Sequence, residues 1–141
     1  MNIYFACSIT GGRAFESVYQ EFTRTLLTDR HEVPTAHLAE SNVMALEKVI
    51  DPHEVYERDI AWIHACDALI AEVSVPSHGV GYEIGFALEA GKQVLCLAQA
   101  GIAVSKMITG NPHPFLHVKY YREAAEGVAI MREFLSGIIC E

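Results

Sequence analysis

What the sequence lacks narrows the possibilities first. No stretch approaches the about 18 consecutive apolar residues of a membrane-spanning helix, so none is expected. The start, MNIYFACSITGG, has no basic leading region and passes directly into an apolar run, so it is not expected to be a secretory signal. The four cysteines, Cys7, Cys66, Cys96 and Cys140, are widely spaced and form no CxxC pair. Three sit in or beside apolar runs, the pattern of reduced core thiols, which places the chain in the cytoplasm. Basic residues are few: 10 Lys and Arg stand against 18 Asp and Glu, a net charge of −8. That field disfavours nucleic-acid polymers and anionic membranes as partners. It leaves room for a small phosphate ligand, because helix N-termini bind phosphate through backbone N–H groups. The seven histidines show no metal-ligand spacing, so no metal is expected.

What is present points to one domain over residues 1–141, since 51% hydrophobic residues are ample for a single core. Three short apolar runs stand out: IYFA (Ile3–Ala6), ALIAEV (Ala68–Val73) and VLCLA (Val94–Ala98). Each is continuous instead of alternating, as for parallel strands covered on both faces. EVPTAHL (Glu32–Leu38) reads as a second strand that Pro34 confines to an edge, and FLHVKYY (Phe115–Tyr121) as the fifth. Helical patterns lie between them. Phe15, Val18, Tyr19, Phe22 and Leu26 form one apolar stripe, and Asp51 and Pro52 open a helix that runs to Cys66. Gly79 to Ala90 is a third helix, ended by Gly91, and Ala124 to Leu135 is the last. Strands alternating with helices predict an open, doubly wound α/β fold with right-handed crossovers: a parallel five-stranded sheet of Rossmann/flavodoxin-like kind, helices on both faces. Ligands in such sheets sit beyond the carboxyl ends of the strands, so the loops after Ala6, Ala36, Val73 and Ala98 are the places for a site.

The first of these, CSITGGR (Cys7–Arg13), offers the hydroxyls and unhindered N–H groups of Ser8, Thr10, Gly11 and Gly12 to an anion. It is neither GxGxxG nor a Walker A sequence, and its spacing fits a plain tight turn equally well. Asp59 lies at i+3 of Tyr56 and at i−3, i−4 and i−7 of Trp62, Ile63 and Cys66, so it points with that apolar stripe, while Glu54, Glu57, Arg58 and His64 fall largely elsewhere. Desolvation raises the pKa of such a carboxyl, which suits a general acid; a buried Asp paired with an Arg or capping a backbone group fits the same pattern. Glu83 sits in the first turns of the Gly79 helix. An acidic residue there complements the helix dipole, worth under about 1 kcal/mol. Val80, Tyr82, Ile84, Phe86, Ala87, Leu88 and Ala90 leave that helix almost no solvent face, so burial of the carboxylate should cost more than the dipole returns. Glu72, at the end of the third strand, is a possible substitute for either carboxylate. His37, at a strand's carboxyl end, is a candidate ligand contact, and the Tyr4 hydroxyl has the reach to meet a site carboxylate from within the first strand.

With Tyr4, SITGG (Ser8–Gly12), Asp59, AEVSVPSHGVGYEIG (Ala71–Gly85) and VSKMI (Val104–Ile108) in place, the chain resembles the nucleoside 2-deoxyribosyltransferase superfamily. It looks most like the branch of 2'-deoxynucleoside 5'-monophosphate N-glycosidases, over Asn2 to about Phe134. The resemblance implies that Glu83, in the G-x-G-x-E segment, is the nucleophile, that Asp59 protonates the departing base, and that Tyr4 supports the nucleophile. The transferase branch carries Asp where this chain has Ser77 and Asn where it has Ser105, groups that hold the sugar 5'-hydroxyl; Met107 is retained. A carboxylate at position 77 would repel a phosphate dianion, whereas a serine hydroxyl can donate to it. The implied phosphate pocket is Ser77 and Ser105 with the N–H groups of Ser8, Ile9, Thr10, Gly11 and Gly12, while Gly79 brings backbone close to the sugar. One departure is Thr10, where the monophosphate branch commonly has Arg.

The chemistry implied is hydrolysis of the N-glycosidic bond of a (2'-deoxy)nucleoside 5'-monophosphate through a covalent glycosyl-Glu83 intermediate, with Glu83 ionised beside a protonated Asp59 and no cofactor. Ser105 and Met107 would come from a partner subunit, making a homodimer or dimer of dimers. Base exchange between nucleosides uses the same carboxylates and is the nearest rival. A nucleotide-binding sensor without turnover is the rival of another class, though binding alone does not require Tyr4, Asp59 and Glu83 together. The glycine-rich signature of lysine-decarboxylase-like phosphoribohydrolases, PGGxGTxxE, fits PSHGVGYE poorly.

Overall fold

The computed structural model describes residues 1–139; Cys140 lies outside them. Four strands, β1 (Ile3–Ala6), β2 (Ala68–Glu72), β3 (Gln93–Gln99) and β4 (Leu116–Tyr121), form one parallel sheet in the order β1-β2-β3-β4. The helices are α1 (Glu16–Thr28), α2 (Val43–Glu47), α3 (Pro52–Ala65), α4 (His78–Glu89), α5 (Lys106–Thr109) and α6 (Ala124–Ile139). The apolar runs are strands because both of their faces are covered: every residue of β1 and β2 is buried. Asp51 caps α3 by accepting from the His53 N–H at 2.9 Å, with Pro52 at the first position, as its sequence requires. Gly91, at φ +73°, ends the α4 turn in a conformation that glycine adopts without strain.

Alternation along the strands divides the core into two layers. Ile3, Phe5, Ala68, Ile70, Leu95 and Leu97 pack against Tyr19, Phe22 and Leu26 of α1 and Met131 and Leu135 of α6. Tyr4, Ala6, Leu69, Ala71, Val94 and Cys96 face the other way, against Ile63 of α3 and Val80, Ile84, Ala87 and Leu88 of α4. This second layer carries Tyr4 and the inward faces of α3 and α4.

The expected second strand does not form. Glu32 begins to pair with β1, donating to the Met1 carbonyl at 2.9 Å and accepting from the Ile3 N–H at 2.8 Å, but the pairing is a single bridge, Asn2 to Glu32. The next donor in a parallel ladder would be residue 34, and Pro34 has no N–H to give. The Thr35 hydroxyl then accepts from the Phe5 N–H at 2.9 Å, satisfying the donor that a longer strand would have used. The chain turns into a 3-10 turn, Ala36–Ala39, and His37 sits on that turn instead of at a strand end. Among the described residues the sheet therefore has four strands where five were expected. The last helix also runs further than its sequence pattern suggests, to Ile139.

Close approach of α1 to α6 depends on Gly127. A methyl there would stand 2.5 Å from Cζ and 2.8 Å from Cε1 of Phe22, whose ring is itself fixed edge-on against Phe5 and Tyr121. Overpacking of that kind costs about 1–3 kcal/mol. It outweighs the ~1 kcal/mol of helix propensity that alanine adds. Gly127→Ala should lower Tm by about 4 °C in a thermal melt. Gly137→Ala, in the same helix but with open space at its Cβ position, should leave Tm unchanged or raise it.

Candidate active site

Three elements bring ionisable groups to one place at the α3/α4 layer. Tyr4 projects from the middle of β1 and is fully buried. Asp59 lies one turn before the buried Ile63 on α3, with 16% of its side chain exposed. Glu83 falls between Val80 and Ala87 on the buried stripe of α4 and is half-buried. The three groups feel one another's charge. Burial pushes the Glu83 carboxyl up to about 8, and the charge of Asp59 pushes it the same way, while Tyr4 and Arg58 pull it down. Burial, then Glu83, then Asp59 hold the Tyr4 hydroxyl well above the ordinary phenol range. Among the described residues that hydroxyl has no partner within ordinary hydrogen-bond geometry, and Glu83 is the carboxylate it interacts with from just beyond that range.

Asp59 is not alone on its helix. Arg58 Nε donates to Asp59 Oδ1 at 2.8 Å, and the guanidinium stacks over the Trp62 ring, 4.8 Å from its centre. The expectation that Arg58 falls elsewhere fails, because Arg58 sits at i−4 of Trp62 and lies down on its indole. The alternative of a buried Asp paired with an Arg is thus the geometry found. Burial raises the Asp59 carboxyl and the Arg58 bond and charge oppose it, leaving it above its ordinary value. The other end of Arg58 grips Glu47 of α2, Nη1 to Oε1 at 3.1 Å and Nη2 to Oε2 at 3.3 Å. His37 Nε2 stands 3.1 Å from the same Glu47 oxygen, and its ring meets Trp62 edge-on at 6.0 Å. Neither α2 nor Glu47 carried a sequence signal; Trp62 four residues after Arg58 was the one clue to this network.

The first loop adjoins the start of α4. A Cβ on Gly11 would meet Ser8 Oγ at 2.5 Å, Val75 Cγ1 at 2.8 Å and the Pro76 carbonyl at 2.9 Å, so only glycine lets the two loops touch. Ser8 is buried and its Oγ accepts from the Gly11 N–H at 3.1 Å; Ile9 is half-buried, and Thr10, Gly11 and Gly12 are exposed. Gly12, at φ +102°, takes a conformation that other residues rarely adopt. Ser77 caps α4, accepting from the Val80 N–H at 3.4 Å, with Gly79 exposed in the first turn. Arg13 does not face the loop's open side. It donates to the carbonyls of Ser8, Leu38, Ala39 and Glu40 and pairs with Glu16 at 2.8 Å, clamping the first loop to the 3-10 turn.

Other candidates lie apart. Ser105 caps the short α5 through its bond from the Met107 N–H, and Met107 is 84% exposed. Glu72 belongs to the opposite face: it is fully buried and accepts from the Tyr121 hydroxyl at 2.9 Å and from the Ser74 hydroxyl and N–H. With Ser74 Oγ also accepting from the Gln99 N–H at 2.8 Å, it ties the carboxyl ends of β2, β3 and β4 and is no substitute for Asp59 or Glu83. The expectation that α4 lacks a solvent face is also corrected. Tyr82 is 57% exposed, pairing with Tyr56, which is 47% exposed and so does not share the inward stripe of α3. A groove of about 420 Å³ lies between the start of β4 and the end of α6, lined by Phe115, His117 and Phe134, away from all of these groups.

Comparison with known proteins bears on both fold and family. The family model described as nucleoside 2-deoxyribosyltransferase matches residues 3–115. A protein of Nematostella vectensis, provisionally named 2'-deoxynucleoside 5'-phosphate N-hydrolase 1, is 41% identical over 140 residues, covering 95% of this chain and 94% of that one. A 5-hydroxymethyl-dUMP N-hydrolase of Esox lucius is 37% identical over 144 residues, covering 98% of each. The structure of a CMP N-glycosidase from Clostridium botulinum superposes with a TM-score of 0.74 over 95% of this chain and 99% of that one; at 20% identity it speaks to the fold alone. On the matched family model and on relatives aligned along almost their whole length, the chain belongs to the nucleoside 2-deoxyribosyltransferase family.

Proposed function

We propose that this chain hydrolyses the N-glycosidic bond of 2'-deoxynucleoside 5'-monophosphates, releasing the free base and the sugar 5-phosphate. The observation that carries the reading is the convergence of Asp59 and Glu83 beside Tyr4, at a glycine-bearing loop and a helix N-terminus. The relatives' names support a deoxynucleotide as the substrate. A Glu83 carboxylate oxygen bonds to the anomeric carbon while the carbon–nitrogen bond breaks. The electron pair goes to the base nitrogen, which takes the proton of Asp59. Water then bonds to the anomeric carbon, giving a proton to Asp59, and the sugar–Glu83 bond breaks to restore the carboxylate. Both steps pass through an oxocarbenium-like transition state, as in retaining glycosidases.

The phosphate is held by neutral donors on this reading: N–H groups of the Ser8–Gly12 loop other than that of Gly11, which donates to Ser8 Oγ, with the Ser77 hydroxyl and the first turn of α4. Thr10 brings no charge and Arg13 is engaged with carbonyls. His37, tied to Glu47, borders the base side of the site. Ser105 and the exposed Met107 complete a neighbour's site in a homodimer. The cytoplasm suits three free, buried cysteines, of which burial pushes Cys7 and Cys96 up to about 12, well away from reactive thiolate.

A panel of nucleosides and nucleoside monophosphates, scored for released base, tests the assignment. Glu83→Ala should lose about a thousandfold or more in kcat while nucleotide binding persists; near-normal turnover would sink it. Exchange of base between a deoxynucleoside and an added free base, without net hydrolysis, would favour the transferase reaction instead. Thr10→Arg should lower KM for the monophosphate by about tenfold, the worth of one charge-assisted contact of about 1.5 kcal/mol, and leave KM for the nucleoside unchanged.

Glu83 also makes a stability prediction. Its folded pKa of about 8 stands above the unfolded carboxyl value, so the folded state binds the extra proton between roughly pH 4.5 and 8 and loses stability as pH rises through that window. Glu83→Gln removes the penalty. Its Tm should exceed wild type at about pH 8.5, with the gap closing as pH falls and vanishing near about pH 5, as thermal melts across that range would show.

A further inference from the structure

Asp59 and Glu83 share one region of low polarity, and the attack requires the proton on Asp59 and the charge on Glu83. The unliganded arrangement favours the reverse, since Arg58 stabilises the Asp59 anion directly and reaches Glu83 only through space. Arg58 is itself divided: Nε serves Asp59, and Nη1 and Nη2 serve Glu47, whose other neighbour is His37. We propose that Arg58 is a positioning residue that decides which of the two carboxylates holds the single proton, and that Glu47, by competing for the same guanidinium, sets how strongly it does so. The inference rests on the hydrolase reading for its consequence in turnover, and on the bonds from Arg58 to Asp59 and Glu47 for the proton's location.

The groups that face Asp59 are Arg58 on its own helix, Glu47 from α2, His37 from the 3-10 turn, Glu83 from α4 and Tyr4 from β1. Arg58 is the cation closest to the pair, so its removal raises both proton affinities. Glu47 acts with opposite sign twice: its charge disfavours the Asp59 anion, and its two bonds draw the guanidinium away. Neutralising Glu47 therefore lowers the affinity of Asp59 for its proton. Coupled carboxylates titrate as a pair, with two apparent values that move together.

The test follows the pair by two routes on the full chain: carbon-13 carboxyl titration of labelled Asp and Glu without substrate, and the pH dependence of kcat/KM for monophosphate hydrolysis. Arg58→Gln should move both apparent values and both limbs of the pH profile up by about one pH unit, the size of a close opposite charge. Glu47→Gln should move them down, and Arg58→Lys, which keeps the charge, should return them toward wild type. Limbs and titrations that stay in place while rates fall would mean a merely structural role and would overturn the proposal. Should Arg58→Gln not fold, Glu47→Gln alone decides, because a downward shift is what loss of a structural bond does not produce. Wild-type protein that releases no base but titrates as described defeats the hydrolase reading and leaves the proton assignment standing.

Discussion

The cost of holding two carboxylates out of water beside a tyrosine governs this site. Asp59 and Glu83 lie on the inward stripes of α3 and α4, and those stripes must be apolar for the helices to cover the sheet. Burial is the largest influence on each carboxyl and moves both up, against the ordinary ionisation of acids at neutral pH. Arg58 supplies the opposing charge. Its stem and guanidinium lie along Trp62, so it reaches Asp59 from a fixed position with little freedom left to lose. Through Glu47 the same side chain fastens α2, a segment whose one buried residue is Val43 and whose Met44 and Leu46 are exposed.

The sheet makes this possible by keeping two polar systems apart. Adjacent residues on a strand point to opposite faces, so Tyr4 of β1 meets α3 and α4 while Glu72 of β2 turns toward α1 and α6. Glu72 is as buried as any residue in the chain, yet its oxygens are met by Ser74 and Tyr121, and it fixes the carboxyl ends of three strands. Asp59 and Glu83 have no such set of neutral donors. One buried acid is satisfied and structural; the other two are left with proton equilibria open. That difference in hydrogen bonding, more than burial, separates the structural role of Glu72 from the roles proposed for Asp59 and Glu83.

Much of this was legible in the sequence. Continuous apolar runs marked β1, β2 and β3, Asp51-Pro52 marked the start of α3, and Gly91 the end of α4, because each rests on a local rule of backbone chemistry. Helical spacing put Asp59 on an inward stripe and composition flagged Glu83, but only the family resemblance grouped the two with Tyr4. What escaped were matters of partnership. Pro34 signalled an edge strand, but the Thr35 hydroxyl that ends the pairing acts on a residue thirty positions away. Arg58 looked like a solvated charge until Trp62 gave it a surface. Tyr56 and Tyr82 were assigned inward because apolar aromatics usually are, whereas they pair with each other on the outside.

Reading Glu83 as a nucleophile then needs a source for its ionisation, and the helix dipole is a poor one. The dipole acts within the first turn, and Glu83 is the sixth residue of α4, a turn and a half from its start. Burial and the Asp59 charge instead raise the proton affinity of Glu83, and Arg58 is bonded to the other carboxylate. In the resting site Tyr4 and the more distant Arg58 favour the Glu83 anion but do not outweigh burial and Asp59. On the nucleophile reading, the further support is positive charge developing at the anomeric carbon as the glycosidic bond lengthens. An anion that is poorly stabilised beforehand and strongly stabilised at that moment is bound more tightly in the transition state than in the ground state. Only such a difference accelerates the chemical step. On this view the unfavourable burial of Glu83 is not a defect that the fold tolerates but the quantity that bond cleavage relieves.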